Sequence, residues 1–573
     1  MDWWSCVWWG QRSPPIVVKV SCLLLACILL VVWSGSPSEL AVPKARHVFN
    51  NLNGDQHACR ALHNLEDYEA KCRYVKSKNP CSSQGYINYL YIFYCTLSDS
   101  PVLGYSFLIL WLVVLFYLLG NTASEYFCSS LESLSRLLKL SPTMAGVTLL
   151  SLGNGAPDVF ASLVSFTGSG TQSVGLNTVL GGTSFVTCVV VGIISFLVHK
   201  RHARLNKSAF VRDVCFLMLV LLFLLVILIN GEINLWGALG FLLTYVVYVV
   251  IVYVSHARWQ KNSDIGGNSS LNNGSDDLKI LILHGSGKEQ LACVEETLEG
   301  GCKLELGSSL DCQPLGLCRL LLLILEFPLY LPRRLTIPVA SEERWSKPYA
   351  VASVTLAPVL LTALWSFQEE NASVNARLAV YGVGFLIAVS LGVVAFCTTK
   401  SSNPPKHCLF PWLAGGFVMS ITWSYIIAQE LVGLLVSLGY IVGVSPSILG
   451  LTVLAWGNSL GDLMTNATMA VNGGTEGMQV ALSGCYAGPI FNMVFGLGLS
   501  LVGASWHNYP ASVVIPRDSH LLETQGFVVA GLVWALVVLP RRDMKLDRVL
   551  GGGLLIVYIV GLSLRVIQTV VTL

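Results

Sequence analysis

Two short segments of this chain place an amide and an acid four residues apart inside apolar sequence. The first, GNGAPD, contains Asn154 and Asp158, and the second, GNSLGD, contains Asn458 and Asp462. Residues at positions i and i+4 lie on one face of a helix, so each segment predicts a stripe of oxygen atoms along a helix. Carboxylate and amide oxygens are preferred ligands of hard cations such as Ca²⁺ and Na⁺. The spacing therefore indicates a cation site built from two helices.

Both segments belong to a longer internal repeat. Its first copy starts at Leu140 and reads LSPTMAGVTLLSLGNGAPDVFASL, and its second starts at Val444 and reads VSPSILGLTVLAWGNSLGDLMTNA. Each copy opens with Ser-Pro and keeps the Gly-Asn and the Asp at the same offsets. The second copy lies an odd number of predicted spans after the first, so the two cross the bilayer in opposite directions. Such inverted repeats are typical of secondary transporters with a site near the bilayer midplane.

The composition is that of a membrane protein. Of the 573 residues, 54% are hydrophobic and only 12% are charged, against roughly 25% charged in soluble proteins. The net charge of +2 gives no indication of a nucleic-acid partner. Runs of about 20 apolar residues are long enough to cross a lipid bilayer as helices, so we expect an all-α polytopic fold. The predicted spans are 103–120, 142–166, 174–198, 212–230, 235–255, 350–367, 377–397, 411–437, 446–471, 478–503, 521–540 and 548–571.

The spans group into two inverted-topology repeats of five helices, with two additional spans between them. Loops on one side carry most of the Lys and Arg, which makes that side the inside by the positive-inside rule. Residues 16–33 are apolar, follow Arg12 and precede small residues, as in a signal peptide or signal anchor. The chain accordingly divides into a signal or targeting segment (1–35), a Cys-containing extramembrane segment (36–100), the first repeat (101–255), a large inside loop (256–349), two additional spans (350–397) and the second repeat (411–573).

Three features outside the spans carry further predictions. Four closely spaced cysteines lie in the extramembrane segment: Cys59, Cys72, Cys81 and Cys95. They indicate two disulfides in an oxidising compartment, with three connectivities open and four free thiols as the alternative. The apolar stretch 317–338 predicts an interfacial helix at the end of the inside loop, with an extra span as the alternative. The one sequon in an outside loop, at Asn371, predicts a glycoprotein.

The two motif segments resemble the alpha repeats of the sodium/calcium exchanger and cation/calcium exchanger superfamily. The pair GNGAPD and GNSLGD is similar to that of the cation/calcium exchanger branch, which includes the mitochondrial sodium/lithium/calcium exchanger of animals. The resemblance covers nearly all of residues 101–571 and implies antiport by alternating access, with calcium exchanged for sodium and lithium as a further ion. The site residues that it implies are the carboxylates of Asp158 and Asp462, the neutral ligands Asn154, Asn458 and Ser459, and Pro157 at a helix break.

The chain departs from the family pattern in two ways. Most members have glutamate where this chain has Asp158 and Asp462, so the ion preference of those members does not transfer. The helix after each motif normally supplies further ligands. In the second copy, GPIFNM offers Asn492, whereas in the first copy GGTSFVT has Val186 at that position and leaves Ser184 as the candidate.

These patterns predict a secondary active antiporter and not an enzyme, with Ca²⁺ and Na⁺ as substrates and no cofactor. An intramembrane aspartyl protease would also use two embedded aspartates, but they would have to share one proton, and matched Asn and Ser side chains do not serve that purpose. A passive channel usually forms its pore from rings of carbonyls or charges. Calcium exchange that is coupled to H⁺ or depends on K⁺ stays open as an alternative.

The sequence gives two conflicting indications of the membrane in which the protein resides. The family resemblance predicts the mitochondrial inner membrane, with calcium extruded from the matrix. The apolar N-terminal stretch 16–33 and the paired cysteines are typical of the secretory route, which leaves the plasma membrane or the endoplasmic reticulum as the alternative. The oligomeric state is not predicted.

Overall fold

The computed structural model describes residues 62, 65, 67–77, 85–98, 100–130, 133, 151–167, 171–199, 205–265, 329–340, 344–368, 373–399, 409–516 and 519–572. Several sequence predictions fall outside these residues. They concern the targeting segment 1–35, Cys59 and Cys81, residues 140–150 of the first repeat copy, most of the inside loop and the Asn371 sequon.

The described residues form long helices wherever the sequence is apolar over a spanning length. The first half contains α1 (Tyr68–Lys76), α2 (Tyr89–Tyr91), α3 (Pro101–Thr122), α4 (Ser151–Thr167), α5 (Gln172–Ser184), α6 (Val191–Val198), α7 (Lys207–Asn230) and α8 (Leu235–Ile265). The second half contains α9 (Lys347–Gln368), α10 (Val374–Thr398), α11 (Leu409–Val442), α12 (Pro446–Leu449), α13 (Ala455–Asn472), α14 (Gly474–Phe491), α15 (Gly498–His507), α16 (Ser519–Arg541) and α17 (Arg548–Thr572). Wider π-helical turns adjoin these helices at Ile92–Thr96, Ala123–Cys128, Phe185–Val190, Gly450–Leu454 and Asn492–Leu497.

Ten helical stretches in the described part of the chain are long and apolar enough to cross a membrane. The two remaining predicted spans correspond to α4 and α13, which are the helices that carry the polar repeat motifs. Each repeat thus consists of a long first helix, the motif helix, a span with a π turn at its centre, and two further helices. The prediction of an all-α, multi-pass fold with two five-helix repeats is confirmed.

Local sequence sets the ends of these helices, as α7 illustrates. The side chain of Asn206 accepts hydrogen bonds from the amides of Ser208 and Ala209, which caps the start of α7. The helix ends at Gly231, whose φ of 71° is the left-handed conformation that a glycine adopts at low cost. The turn that follows leads directly into the short strand β1.

Contacts between the halves establish that the two repeats run in opposite directions. α4 and α5 run antiparallel, because Gly175 lies against Ser165 and, further along α5, Gly182 lies near Asp158. α5 runs parallel to the start of the second motif, because the Val174 carbonyl lies against Gly450 and, further along, Gly182 lies against Ser459. α4 and α13 therefore point in opposite directions, and the predicted inverted topology is confirmed.

Loops from the two halves meet at each end of the bundle. At one end, β1 (Glu232–Ile233) pairs antiparallel with β2 (Val513–Val514). At the other end, the amide of Leu205 donates a hydrogen bond to the carbonyl of Met544 at 3.0 Å. This grouping agrees with the predicted sidedness, in which the first pair of loops is outside and the second pair is inside.

The end of the large inside loop packs against two helices of the bundle. Residues 329–336 form a helix, but Arg333 is only 1% exposed and donates to the side chain of Asn121, near the end of α3, at 2.7 Å. Trp423 of α11 donates to the hydroxyl of Thr336 at 2.7 Å. A buried arginine needs protein partners, and this segment finds them between α3 and α11. The interfacial position of the stretch 317–338 stays a prediction, and its described part is a short helix that packs against the bundle.

The centre of the bundle is formed by equivalent spans of the two repeats. In the most apolar segment of each of the spans Gln172–Val198 and Gly477–His507, 78% of the residues are buried. In the corresponding segments of α9 and α10 the share is 22%. α9 and α10 form a peripheral hairpin, in which Gly384 of α10 packs against Thr362 of α9. The two motif helices, α4 and α13, pack across the halves against the central spans.

Candidate cation site

The two predicted carboxylates lie on α4 and α13, where the repeat motifs cross. Asp158 is 3% exposed and Asp462 is 5% exposed, and Gly182 of α5 lies near both Asp158 and Ser459, which is one turn before Asp462. No Lys or Arg forms an ion pair with either carboxylate among the described residues. Two buried carboxylates without a basic partner repel each other strongly in a low-dielectric interior. A cation bound beside both would remove that repulsion.

A residue from the second repeat reaches the carboxylate of the first. Asn492 starts the π turn after α14, and its Nδ2 donates to Asp158 Oδ2 at 2.6 Å. Asn492 Oδ1 lies directly against Gly155 of α4, where a Cβ atom would collide with it. The approach of these two elements therefore requires glycine at position 155.

Ser459 and Asn458 complete the group from α13. A Cβ placed on Gly182 of α5 would lie 3.4 Å from Ser459 Oγ and 3.8 Å from Asp158 Oδ2. Gly182 therefore lies between the serine and the carboxylate, and its missing side chain leaves space beside both. Asn458, which is 5% exposed, lies one turn before Asp462 on α13, and neither its Oδ1 nor its Nδ2 has a hydrogen-bond partner among the described residues.

Several oxygen atoms of this group have no hydrogen-bond partner among the described residues. They are Asp158 Oδ1, Asn458 Oδ1, Ser459 Oγ and Asn492 Oδ1. Buried polar atoms are nearly always paired, and leaving one unpaired costs about 1–3 kcal/mol. Oxygens that converge on two carboxylates without partners of their own are suited to ligate a cation.

Backbone carbonyls add further acceptors near the motif helices. Pro157 lies within α4 and Pro489 within α14. Because proline has no N–H, the carbonyls of Gly153 and Cys485 lose their usual helical donors. The predicted break at Pro157 does not interrupt α4, which stays helical through it. The helical backbone widens instead in the neighbouring π turns, and such turns are often found at functional sites.

The structure does not bring all the predicted ligands together. Asn154 lies one turn before Asp158 on α4, but its side chain is outside the described part of the structure. Ser184 lies two residues after Gly182 and hence on the opposite side of α5, where it lines a cavity with Thr524 and Tyr558. As ligands, Asn154 and Ser184 stay predictions.

The sequence did not predict the close contacts that Gly155 and Gly182 make with the opposite repeat. Gly155 and Gly182 were visible only as parts of the GNGAPD and GGTSFVT motifs. Their role depends on which atoms of the opposite repeat lie against them, and that information comes from packing between segments far apart in the chain. The occurrence of glycine beside each candidate ligand was the available signal.

Comparisons with known proteins agree with this arrangement. A profile of the family described as "Sodium/calcium exchanger protein" matches residues 108–254 and 412–567. The chain is 55% identical to "Cation/calcium exchanger 2" of Arabidopsis thaliana over 553 residues, covering 96% of both chains. It is 50% identical to "Cation/calcium exchanger 1" of the same plant, covering 97% of this chain and 96% of that one.

The chain is also similar, at lower identity, to a protein that is named as a mitochondrial exchanger. The chain is 31% identical to the "Mitochondrial sodium/calcium exchanger protein" of Rattus norvegicus over 563 residues, covering 93% of this chain and 94% of that one. The protease and channel alternatives have no support in these relatives. The chain belongs to the sodium/calcium exchanger family and, within it, to the cation/calcium exchanger branch, whose members are multi-pass antiporters and not enzymes.

Proposed function

We propose that Asp158 and Asp462 bind Ca²⁺ and Na⁺ in turn, together with the oxygens of Asn458, Ser459 and Asn492. The observation that carries the proposal is the set of buried oxygens that lack a hydrogen-bond partner in the described part of the chain, beside two carboxylates that have no basic partner there. Two negative charges balance one Ca²⁺, and the same oxygens can instead hold monovalent ions, because both cation types prefer oxygen ligands.

The position of the group supports exchange by alternating access. α4 packs against α14 and α15 of the second repeat, and α13 packs against α5 and α6 of the first. Each motif helix thus packs partly against the opposite repeat, and Asp158 accepts a hydrogen bond from it. A shift of one repeat relative to the other would therefore change both sides of the site together. Sites between inverted repeats are a general feature of such transporters.

Sodium is the counter-ion that we propose, with lithium as a further ion. The relatives named as mitochondrial exchangers carry sodium in their names, and the neutral amide and hydroxyl oxygens suit sodium. Coupling to H⁺ would need a carboxylate that is protonated in each cycle, and dependence on K⁺ would need a larger ligand shell. Both remain outcomes of the experiment below.

For the membrane, we propose the secretory route over the mitochondrial inner membrane. The apolar stretch 16–33 supports this choice. The disulfide between Cys72 and Cys95 is compatible with either location, because the secretory route and the intermembrane space both allow such bonds. The relatives with the higher identities carry no mitochondrial name. Extrusion of calcium from the matrix stays a prediction, and fractionation of cells that express a tagged chain decides between the two.

Ion-replacement flux tests the proposed reaction. The purified protein is reconstituted in liposomes loaded with calcium, and efflux is followed with external Na⁺, Li⁺, K⁺ or a pH gradient. We expect efflux with Na⁺, lesser efflux with Li⁺, and none with choline. Efflux driven equally by a pH gradient or by K⁺ alone would contradict sodium coupling, and efflux without any counter-ion would contradict antiport.

A further inference from the structure

A third buried carboxylate lies on α11, away from the carboxylate pair. Glu430 is 7% exposed and is the one charged residue of α11, a mostly apolar helix. Its two oxygens accept hydrogen bonds from the backbone amide of Tyr86 and from the hydroxyl of Tyr89, the latter at 2.5 Å. Both donors belong to the extramembrane segment that precedes α3.

The hydroxyl of Tyr89 connects two long helices. It donates to Glu430 of α11 and accepts a hydrogen bond from Trp111 Nε1 of α3 at 3.1 Å. Tyr89 is fully buried, and burial together with Glu430 raises the pKa of its hydroxyl far above the usual value, so the proton stays on the tyrosine. Gly85 packs closely against this carboxylate. A Cβ atom at position 85 would lie only 2.9 Å from Glu430 Oε1, which is too close, so glycine is the residue that fits here.

Residues 85–95, here called the outer clamp, are anchored at their far end. A disulfide joins Cys95 to Cys72 of α1, and the ring of Phe93 packs edge-on against Tyr105 of α3 at 4.9 Å between centroids. If the outer clamp lifted away, Glu430 would be left in an apolar helix without these donors, which is strongly unfavourable for a buried charge. The clamp is therefore expected to stay docked while ions are exchanged.

The helix that the clamp holds packs against the helix that carries Asp158. Ile427 and Leu431, one turn before Glu430 and one residue after it, belong to the same apolar core as Ala156 and Phe160 of α4. The position of α11 relative to α3 thus bears on the packing beside Asp158.

We propose that Glu430 and Tyr89 are positioning residues for exchange: the outer clamp fixes α11 to α3 and thereby sets the packing of α11 against α4. Neither residue touches the transported ions. This proposal rests on the antiport function proposed above. Loss of the clamp should lower the maximal rate of exchange and leave the ion concentrations for half-maximal exchange unchanged, because no ligand is removed.

Tyr89→Phe removes only the hydroxyl that joins Glu430 to Trp111. The matched control is Tyr91→Phe, because Tyr91 lies in the same short helix, is 42% exposed, and its hydroxyl makes no hydrogen bond to the described residues. Calcium efflux would be measured per folded transporter over a range of sodium and calcium concentrations. We expect at least about a threefold lower maximal rate for Tyr89→Phe, the same direction for Glu430→Gln, and the wild-type rate for Tyr91→Phe.

Reduction of the disulfide provides an independent arm of the test. A membrane-impermeant reductant should slow exchange by the wild-type protein. It should slow Tyr89→Phe no further, because perturbations of coupled residues are not additive. It should not affect a Cys72→Ser/Cys95→Ser variant, which has no such disulfide to reduce. Wild-type rates in Tyr89→Phe and Glu430→Gln, or a shift of half-maximal concentrations in place of the rate, would overturn the outer clamp. Absence of exchange in the wild type would instead refute the proposed function.

Discussion

Replacing Gly182 with alanine would place one methyl group between Ser459 and Asp158. The added Cβ would lie 3.4 Å from Ser459 Oγ and 3.8 and 3.9 Å from the two carboxylate oxygens of Asp158. These are ordinary contact distances, so the helix can accept the methyl group without rearrangement. Alanine is also more favourable than glycine inside a helix by about 1 kcal/mol, so we expect no loss of folded protein.

The same methyl group would occupy space that a bound cation needs. Calcium contacts its oxygen ligands at about 2.3–2.6 Å, whereas a carbon atom keeps about 3.5–4.0 Å from its non-bonded neighbours. We expect the methyl group to displace the cation from at least one oxygen. A contact with a charged group contributes about 1.5–3 kcal/mol, which corresponds to an apparent calcium affinity about 10- to 150-fold lower.

Calcium dependence of exchange by reconstituted protein measures this effect. The matched control is Gly488→Ala, at the equivalent position of the second repeat, where an added Cβ would meet no atom within 4 Å. We expect a large rise in the calcium concentration for half-maximal exchange with Gly182→Ala and none with Gly488→Ala. Equal calcium affinity in both variants would refute the placement of the cation beside Gly182.

Two further predictions concern ligands and topology. Ser459→Ala and Asn492→Ala should raise the sodium concentration for half-maximal calcium efflux more than Ser184→Ala does, because Ser184 faces a different cavity. Sodium titrations of calcium efflux test this ranking, and a larger effect of Ser184→Ala would contradict it. Protease should cleave the large inside loop and the segment between Cys72 and Cys95 from opposite faces of sealed vesicles, and cleavage of both from one face would contradict the inverted topology.

Much of the architecture could be predicted from the chain because the signals are local and repeated. Span lengths follow from runs of apolar residues, and the matched motifs around Asp158 and Asp462 predict both the inverted repeat and the meeting of two carboxylates. Asn492 emerged as a candidate from its position after the second motif. That it would bond to Asp158, on the opposite repeat, could not be derived, because only the packing of the two halves brings them together.

Other features had no readable sequence signal. Glu430 is the one acidic residue of a 34-residue, mostly apolar helix. Its partner Tyr89 lies far away in the chain, and no residue near Glu430 in the sequence indicates that the two are bonded. Arg333 likewise lies in the predicted interfacial stretch 317–338, and the sequence does not indicate that it donates a hydrogen bond to Asn121. In each case a buried charge is satisfied by a distant segment, and sequence spacing carries no information about such pairs.

Sodium-driven calcium efflux by Asp158→Asn and Asp462→Asn tests the central claim most directly. Each change removes one negative charge and keeps the shape of the side chain, and Asp213→Asn is the matched control. Asp213 is a buried carboxylate of α7 that accepts hydrogen bonds from Tyr248 at 3.1 Å and Ser483 at 2.8 Å. Measured on equal amounts of folded protein, we predict no exchange by either of the first two variants and retained exchange by the control. Substantial exchange by Asp158→Asn and Asp462→Asn would contradict the assignment of these two carboxylates as the cation site.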